Sequence, residues 1–417
     1  MVKKLQSIRG IHDGLPSEVA KWRKIEDIAR RVFSRYATSE VRLPILEPTE
    51  LFVRSVGEET DIVSKEMYAF EDSGRDGRKH HICLRPEGTA GAVRAYLQAG
   101  LTRDGAQRWF YMGPMFRRER PQKGRLRQFQ QIGVEWFSVT GPVADAEVLA
   151  MAQNFLDELV IEKVRLEINS LGCSACRPAY RETLMAYLHA RAELLCSTCN
   201  DRIEKNPMRV LDCKNESCQA QLRGAPEMVS HICDDCDAHF SGLKAGLDAL
   251  DVRYEVNPRI VRGLDYYNRT AFEFVTDQLG AQGTVLAGGR YDGLVKSLGG
   301  PATAAVGFAA GMERLAMLMP NIEKKAVDVA VVSLGDQALS YSLQVAKQLR
   351  SQGAIVIHAG GGSAKRQFKL ADREGARFVA TLGDNEIQEG VIALKNLTTG
   401  KQYTCSLEQA LGLLKTQ

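Results

Sequence analysis

Apolar residues recur at helical spacing in some stretches of the chain and at strand spacing in others, and the alternation divides it. Behind Pro16-Ser-Glu18, the residues Val19, Trp22, Ile25, Ile28, Val32 and Phe33 share one helical face, with Ser17 the expected N-cap. Val41-Arg-Leu-Pro-Ile-Leu-Glu-Pro48 reads as extended, because each proline biases its predecessor away from the helix. A helix is predicted over 88–97, with Thr89, Val93, Tyr96 and Leu97 along it. Two strands are predicted over 107–116 and 128–138, joined by a basic loop holding proline and glycine. Alternation in the second strand puts Phe129, Gln131, Gly133 and Glu135 on one face.

After Asn169-Ser-Leu-Gly172 the composition shifts to Cys, Glu, Arg and Asp through about His239, which marks an insertion over 171–245. The earlier pattern resumes near Tyr254 and ends in a helix over 311–319, followed by a polar linker at 320–325. From Val327 the order is strand 328–334, helix 338–350, strand 354–358, helix 364–374 and strand 378–382. That order predicts a separate, compact α/β unit.

A length of 417 residues allows two or three domains, each with its own core. Charged residues at 25% and a hydrophobic share of 44% describe an ordinary globular chain. The net charge of +4 does not by itself argue for a nucleic-acid partner, yet residues 117–127 hold six basic residues against one acid, Glu119. The N-terminus does not read as a signal peptide and no stretch approaches the apolar length of a membrane span. The expectation is a cytoplasmic protein with no membrane partner.

Three segments carry candidate chemistry. Arg262-Gly-Leu-Asp-Tyr-Tyr-Asn-Arg-Thr-Ala-Phe-Glu-Phe274 sets two arginines, two tyrosines and two acids before and along a strand-like tail, and Ala287-Gly-Gly-Arg-Tyr-Asp-Gly293 follows it. Arg117-Arg-Glu-Arg120 opens the basic loop, and Gly311-Met-Glu-Arg314-Leu starts an apolar helix. Arginine at such positions can fork onto phosphate or carboxylate. With Ile8-Arg-Gly-Ile-His-Asp-Gly-Leu-Pro16 and Leu84-Arg-Pro-Glu-Gly-Thr-Ala90, these segments resemble histidyl-tRNA synthetases in identity and in order, over essentially the whole chain. The two arginine motifs resemble the second and third signatures of class II aminoacyl-tRNA synthetases, and the stretch ending Arg42-Leu-Pro44 the first.

The resemblance implies an α/β protein in three parts: an α+β catalytic domain on an antiparallel sheet over 1–322, the mainly helical insertion at 171–245, and an anticodon-binding domain over 327–417. It implies ATP with Mg²⁺, L-histidine and the tRNA for histidine as partners, and a homodimer with Leu43 and Pro44 near its interface. Arg117 would bridge the α-phosphate and the substrate carboxylate, Arg314 would meet the γ-phosphate, and Arg262 would face the α-phosphate from the other side. Phe129 would stack on adenine and Glu119 would help hold it. Glu87, Thr89 and Gln131, with Gly88 between the first two, would bind the α-ammonium group. Glu135 and Tyr267 would reach the two imidazole nitrogens, with Tyr266 and Tyr291 shaping the pocket. Neutral imidazole presents one donor and one acceptor, so its recognition needs a polar partner at each end.

Ten cysteines are present, and eight fall in the insertion as Cys173/Cys176, Cys196/Cys199, Cys213/Cys218 and Cys233/Cys236. Close pairs of this kind suit tetrahedral Zn²⁺, and the alternative is packing thiols in a helical insertion. A helix over 178–195 would be about 27 Å long, which keeps its two flanking pairs from sharing one metal. The preferred grouping is Cys196/Cys199 with Cys213/Cys218, and Cys173/Cys176 with Cys233/Cys236. Two other functions compete: a histidine-binding regulator that has lost catalysis, and a zinc-dependent nucleic-acid binding module. The first typically lacks the C-terminal unit, and the second explains only the cysteines and the basic loop.

Overall fold

A computed structural model describes residues 4–415, apart from 58–59, 61, 74–76, 78, 123, 262–263, 265, 281–282, 323–325 and 336. Arg262, Lys123 of the basic loop and part of the expected linker lie outside the described residues. The chain divides into two compact units, Met1–Asn321 and Ile322–Gln417.

The first unit contains, in chain order, β1 (Ser39–Glu40), β2 (Leu46–Pro48), β3 (Tyr68–Ser73), β4 (Lys79–Leu84), β5 (Gln107–Phe116) and β6 (Gln128–Phe137). Then come β7 (Arg165–Ser170), β8 (Glu255–Val256), β9 (Asn268–Val275), β10 (Thr284–Arg290) and β11 (Ala305–Gly311). Eight of these form one sheet in the order β1-β5-β6-β11-β10-β9-β7-β8, and β2, β4 and β3 form a smaller one. Pairing in the large sheet is antiparallel except at its edges, where β1 and β8 run parallel to β5 and β7.

The helices of the main body are α1 (Pro16–Arg35), α2 (Thr49–Val56), α3 (Thr89–Gln98) and α4 (Pro142–Glu158). The insertion adds α5 (Arg177–His189), α6 (Ser197–Lys205), α7 (Glu216–Leu222) and α8 (Asp234–Ala249), and α9 (Leu294–Ser297) and α10 (Met312–Leu318) complete the unit. The helix α1 starts one residue before the expected N-cap: Ser17 lies inside it and Leu15 occupies the cap position. Proline fits the first helical position because its φ is preset and the missing N–H has no intrahelical acceptor there. The helix predicted over 178–195 ends at His189 and gives way to a short 3₁₀ turn at Ala192–Leu194.

Two opposite uses of β6 organise the unit. Val134, with its cross-strand neighbours Phe110 and Phe308, belongs to the face covered by α1 and α4, where Phe33 meets the rings of Phe110, Phe155 and Phe308 at 5.3, 5.1 and 5.9 Å. Burying such aromatics supplies the apolar area that holds the layers together. The alternate residues Gln131, Gly133 and Glu135 belong to the other face, beside Gly113, Tyr111 and Trp109 of β5 and Gly311, Ala309 and Gly307 of β11.

The second unit has β12 (Val329–Ser333), β13 (Val356–His358), β14 (Phe378–Leu382), β15 (Ile392–Asn396) and β16 (Gln402–Cys405) in the order β13-β12-β14-β15-β16. Its first three strands are parallel and the last two pairings antiparallel. The helices are α11 (Gln337–Ser351), α12 (Ala364–Arg373), α13 (Asp384–Glu389) and α14 (Leu407–Lys415). Among the described residues no helix is long and apolar enough to cross a membrane.

Candidate active site and cysteine clusters

The polar face of β6 borders a cavity of about 970 Å³ whose wall includes Arg117, Glu119, Phe129, Gln131, Glu273 and Arg314. Arg117 leaves the end of β5, donates from Nε to Pro86 O at 2.9 Å, and sets its guanidinium 5.3 Å from the Phe129 ring centre. Glu119 pairs with Arg125 at 3.2 Å and lies 3.8 Å from Arg117. Arg314, in the first turn of α10, donates to Gly124 O at 3.1 Å and Thr284 O at 2.6 Å, and burial lowers its pKa. Its neighbour Glu313 accepts Gln130 N at 2.8 Å, and burial pushes that carboxyl up to about 7.

The opening segment holds the basic loop in place. Arg127 N donates to Gly10 O at 2.7 Å, and Arg117 N to Arg127 O at 2.9 Å. Gly10 has φ +86°, and an added Cβ would lie 2.7 Å from Pro121, so two separate constraints favour glycine. This close approach explains why Ile8–Pro16, remote in sequence, accompanies the arginine motif.

Behind the cavity lies a buried cluster around Glu135. Its Oε1 accepts Thr89 Oγ1 at 2.7 Å and Tyr111 Oη at 3.1 Å, and its Oε2 accepts Tyr291 Oη. Burial raises the Glu135 pKa from the usual 4.5 to about 8, against the lowering effect of the Tyr291 and Thr89 hydrogen bonds. Three glycines open the space. An added Cβ on Gly307 would lie 2.2 Å from Glu135 Oε2, and on Gly133 or Gly88 within 2.2 Å of the Tyr111 side chain. Glu87 accepts the backbone N–H groups of Thr89 and Ala90 at 2.7 and 2.9 Å, and its pKa is raised by burial.

Tyr266, Tyr267 and Tyr291 complete this cluster, with ring centres 4.6, 5.7 and 6.4 Å apart. Gln131 Oε1 and Tyr266 Oη are buried and meet no hydrogen-bond partner among the described residues. A buried polar atom without a partner costs on the order of 1–3 kcal/mol, which a polar ligand can recover. Gln131 lines the cavity, whereas Glu135 and the three tyrosines do not. Tyr111 and Glu273 were not among the expected site residues; the register that sets Tyr111 beside Gly133 brings the first of them to Glu135.

The eight insertion cysteines gather into two quartets, Cys173/Cys176/Cys233/Cys236 and Cys196/Cys199/Cys213/Cys218, each with its sulfurs within 4.8 Å of one another. Sulfur separations include 3.5 Å for Cys173–Cys176, and 3.9 Å for Cys173–Cys233, Cys176–Cys236 and Cys196–Cys213. Sulfurs at the corners of a tetrahedron about 2.3 Å from its centre are about 3.8 Å apart. Cys233 N–H donates to Cys176 Sγ at 3.1 Å and Cys196 N–H to Cys218 Sγ at 3.2 Å, contacts that favour thiolates.

An antiparallel sheet with arginines from a strand end and a helix start converging on one cavity, beside a buried polar pocket, defines a class II aminoacyl-tRNA synthetase. A sequence profile described as histidyl-tRNA synthetase matches residues 10–315, and one described as an anticodon binding domain matches 328–417. The chain is 50% identical over 411 residues to a histidine–tRNA ligase of Anaeromyxobacter dehalogenans, covering 97% of this chain and 98% of that one. A histidine–tRNA ligase of Anaeromyxobacter sp. is 49% identical over the same shares. The crystal structure of apo S. aureus histidyl-tRNA synthetase superposes with a TM-score of 0.81 at 35% identity, covering 99% of this chain and 100% of that one. The chain belongs to the histidyl-tRNA synthetase family.

Proposed function

We propose a division of labour among these residues for the ligation of histidine to tRNA. The family's reaction uses ATP and Mg²⁺. A histidine carboxylate oxygen attacks the α-phosphorus as the bond to the bridging oxygen breaks and pyrophosphate leaves. A ribose hydroxyl of the tRNA's terminal adenosine then takes the histidyl group, and AMP leaves.

Arg117 spans the α-phosphate and the substrate carboxylate, and Arg314 meets the γ-phosphate; both line the cavity. Fixed cations of this kind neutralise charge that develops as pyrophosphate departs. Phe129 stacks on adenine, with Glu119 near its edge. Glu273 offers carboxylate oxygens of the sort that hold Mg²⁺ together with phosphate. Glu87, Thr89 and Gln131, around Gly88, take the α-ammonium group. Glu135 and Tyr267 take the imidazole, with Tyr266 and Tyr291 as its walls. The observation that carries this reading is Glu135, a buried carboxyl ringed by hydroxyls, on the same strand face as cavity-lining Gln131.

Residues 1–322 serve as the catalytic domain around the 171–245 insertion, and 327–417 as the anticodon-binding domain. Each cysteine quartet holds one structural Zn²⁺, since four thiolates close the coordination shell and leave no place for substrate. The chain works as a cytoplasmic homodimer, consistent with the exposed apolar Ile45, Leu46 and Phe70 on and beside the small sheet. A two-fold arrangement is the commonest among soluble oligomers. The family resemblance assigns Arg262, which lies outside the described residues, to the α-phosphate on the side opposite Arg117. Replacing it, Arg262→Ala, should slow histidine-dependent pyrophosphate exchange by about 3 kcal/mol of transition-state stabilisation, as removal of one oxyanion-hole donor does. A rate within a few-fold of the parent would remove Arg262 from the mechanism.

A further inference from the structure

The two cysteine quartets sit differently with respect to the pocket. Both quartets adjoin the insertion's apolar core, but Cys196, Cys199, Cys213 and Cys218 gather only α6 and α7, elements within the insertion, beside Leu195, Ile203 and Leu222. Cys173, Cys176, Cys233 and Cys236 instead stand at the neck, where the chain leaves β7 and where α8 begins. Cys176 is the N-cap residue of α5 and Cys233 that of α8, so this quartet fixes the starts of both helices against each other.

Each helix then reaches the histidine pocket. In α5, Arg177, the residue after Cys176, donates from Nη2 to the backbone carbonyl of Tyr267. In α8, one turn after Cys236, His239 Nε2 lies 2.8 Å from Asp145 Oδ2. Asp145 also receives Arg290 Nε at 3.0 Å and Thr270 Oγ1. Arg290 directly precedes Tyr291, whose hydroxyl donates to Glu135. A third link is the backbone: Leu171 N donates to Arg269 O at 2.7 Å and Arg269 N to Gly172 O at 2.8 Å, one residue before Cys173. Gly172 has φ +60° and an added Cβ there would lie 2.8 Å from Cys176 Cβ, so the turn from sheet to quartet is tightly built.

We propose that the neck quartet is a metal-dependent positioning site for the histidine pocket, holding Tyr267 through α5 and Tyr291 through α8, while the outer quartet serves the insertion's own fold. This rests on the reading of the quartets as zinc sites given above. The neck cysteines touch no substrate. They act through the placement of two tyrosines, and misplacing a binding group by about 1 Å is enough to cost up to about a hundredfold in rate.

The test combines zinc content by plasma mass spectrometry with the KM values for histidine and ATP in pyrophosphate exchange, on the full chain purified without chelator. The parent should carry two zinc ions. The neck variant Cys173→Ser/Cys233→Ser changes that quartet's two less buried members. It should retain one zinc ion and raise the histidine KM about tenfold, with the ATP KM within about twofold. The outer variant Cys196→Ser/Cys213→Ser should also retain one zinc ion, with a rise in histidine KM at least about fivefold smaller. Cys233→His alone, which leaves a Cys₃His set able to bind zinc, should keep both metal content and histidine KM close to the parent's. Arg177→Met should keep both zinc ions and still raise the histidine KM.

A neck variant that loses its zinc yet keeps the parent histidine KM overturns the proposal, as does an equal rise in both KM values. A parent chain without zinc overturns the underlying metal reading instead, and the two failures are told apart by the metal analysis.

Discussion

Thr89, the first residue of α3, donates its hydroxyl to Glu135 in the body of β6 at 2.7 Å. The contact joins the turn assigned to the ammonium group of histidine to the carboxyl assigned to its imidazole. Replacing Glu135→Gln keeps the shape but removes one acceptor and the capacity for charge. Histidine binding should weaken by about 1–3 kcal/mol, with ATP affinity little changed. Calorimetric titration of both ligands checks this, and equal losses would indicate damage to the fold.

The same carboxyl predicts a pH effect on stability. Burial moves Glu135 from 4.5 to about 8 in the ligand-free fold. Below pH 4.5 both folded and unfolded chains hold the proton, so this group has no effect. Between those values the unfolded chain releases the proton first, and stability falls as pH rises until about 8. At about 1.4 kcal/mol per pH unit the full loss is at most about 5 kcal/mol. Urea unfolding at pH 5 and pH 8.5 should show a larger decline in the parent than in Glu135→Gln. Parallel declines would mean that Glu135 is ionised throughout.

Asp145 is fully buried and, although burial alone would raise its pKa, hydrogen bonds from His239 and Arg290 hold it below the usual value. Its contribution is therefore present above the unfolded pKa and is lost as pH falls through the lower folded one. Asp145→Asn removes the buried anion of Arg290 and leaves it only Asp292, at 3.0 Å, which should cost up to about 3–5 kcal/mol. Urea unfolding at neutral pH measures that cost, and a change under about 1 kcal/mol would show that the pair is dispensable.

Ending the chain at Asn321 removes the second compact unit at its boundary. The catalytic unit has its own sheet and core, so pyrophosphate exchange should persist while charging at limiting tRNA falls strongly. Unchanged charging would remove the anticodon role from residues 327–417.

Legibility followed chain distance and period. Strong alternation gave β5 and β6 almost to the residue, and the proline signal placed α1 within two residues of its start. In the second unit the α/β order was readable as far as Leu382. The two antiparallel strands and the helices beyond it were not read: Ile392–Asn396 and Gln402–Cys405 are short strands around a Thr-Thr-Gly turn. The preferred cysteine grouping is the one the structure forms; the helix after Cys176 excluded only the sharing of one centre by the first two pairs and left two groupings open. The Tyr111 hydroxyl escaped notice, since only the register of β5 against β6 brings it to Glu135. The Asp145–Arg290 pair was equally hidden: its partners lie 145 residues apart, and neither residue type announces a core position.

The most direct test of the account is ATP–pyrophosphate exchange by the purified chain with each standard amino acid in turn, at neutral pH with Mg²⁺. A site that hydrogen-bonds both imidazole nitrogens rejects analogues lacking them by roughly 10⁴ in favourable cases. Exchange should appear with histidine alone and disappear when ATP or histidine is withheld. Comparable exchange with another amino acid, or none with histidine, would contradict the assignment of the Glu135 pocket.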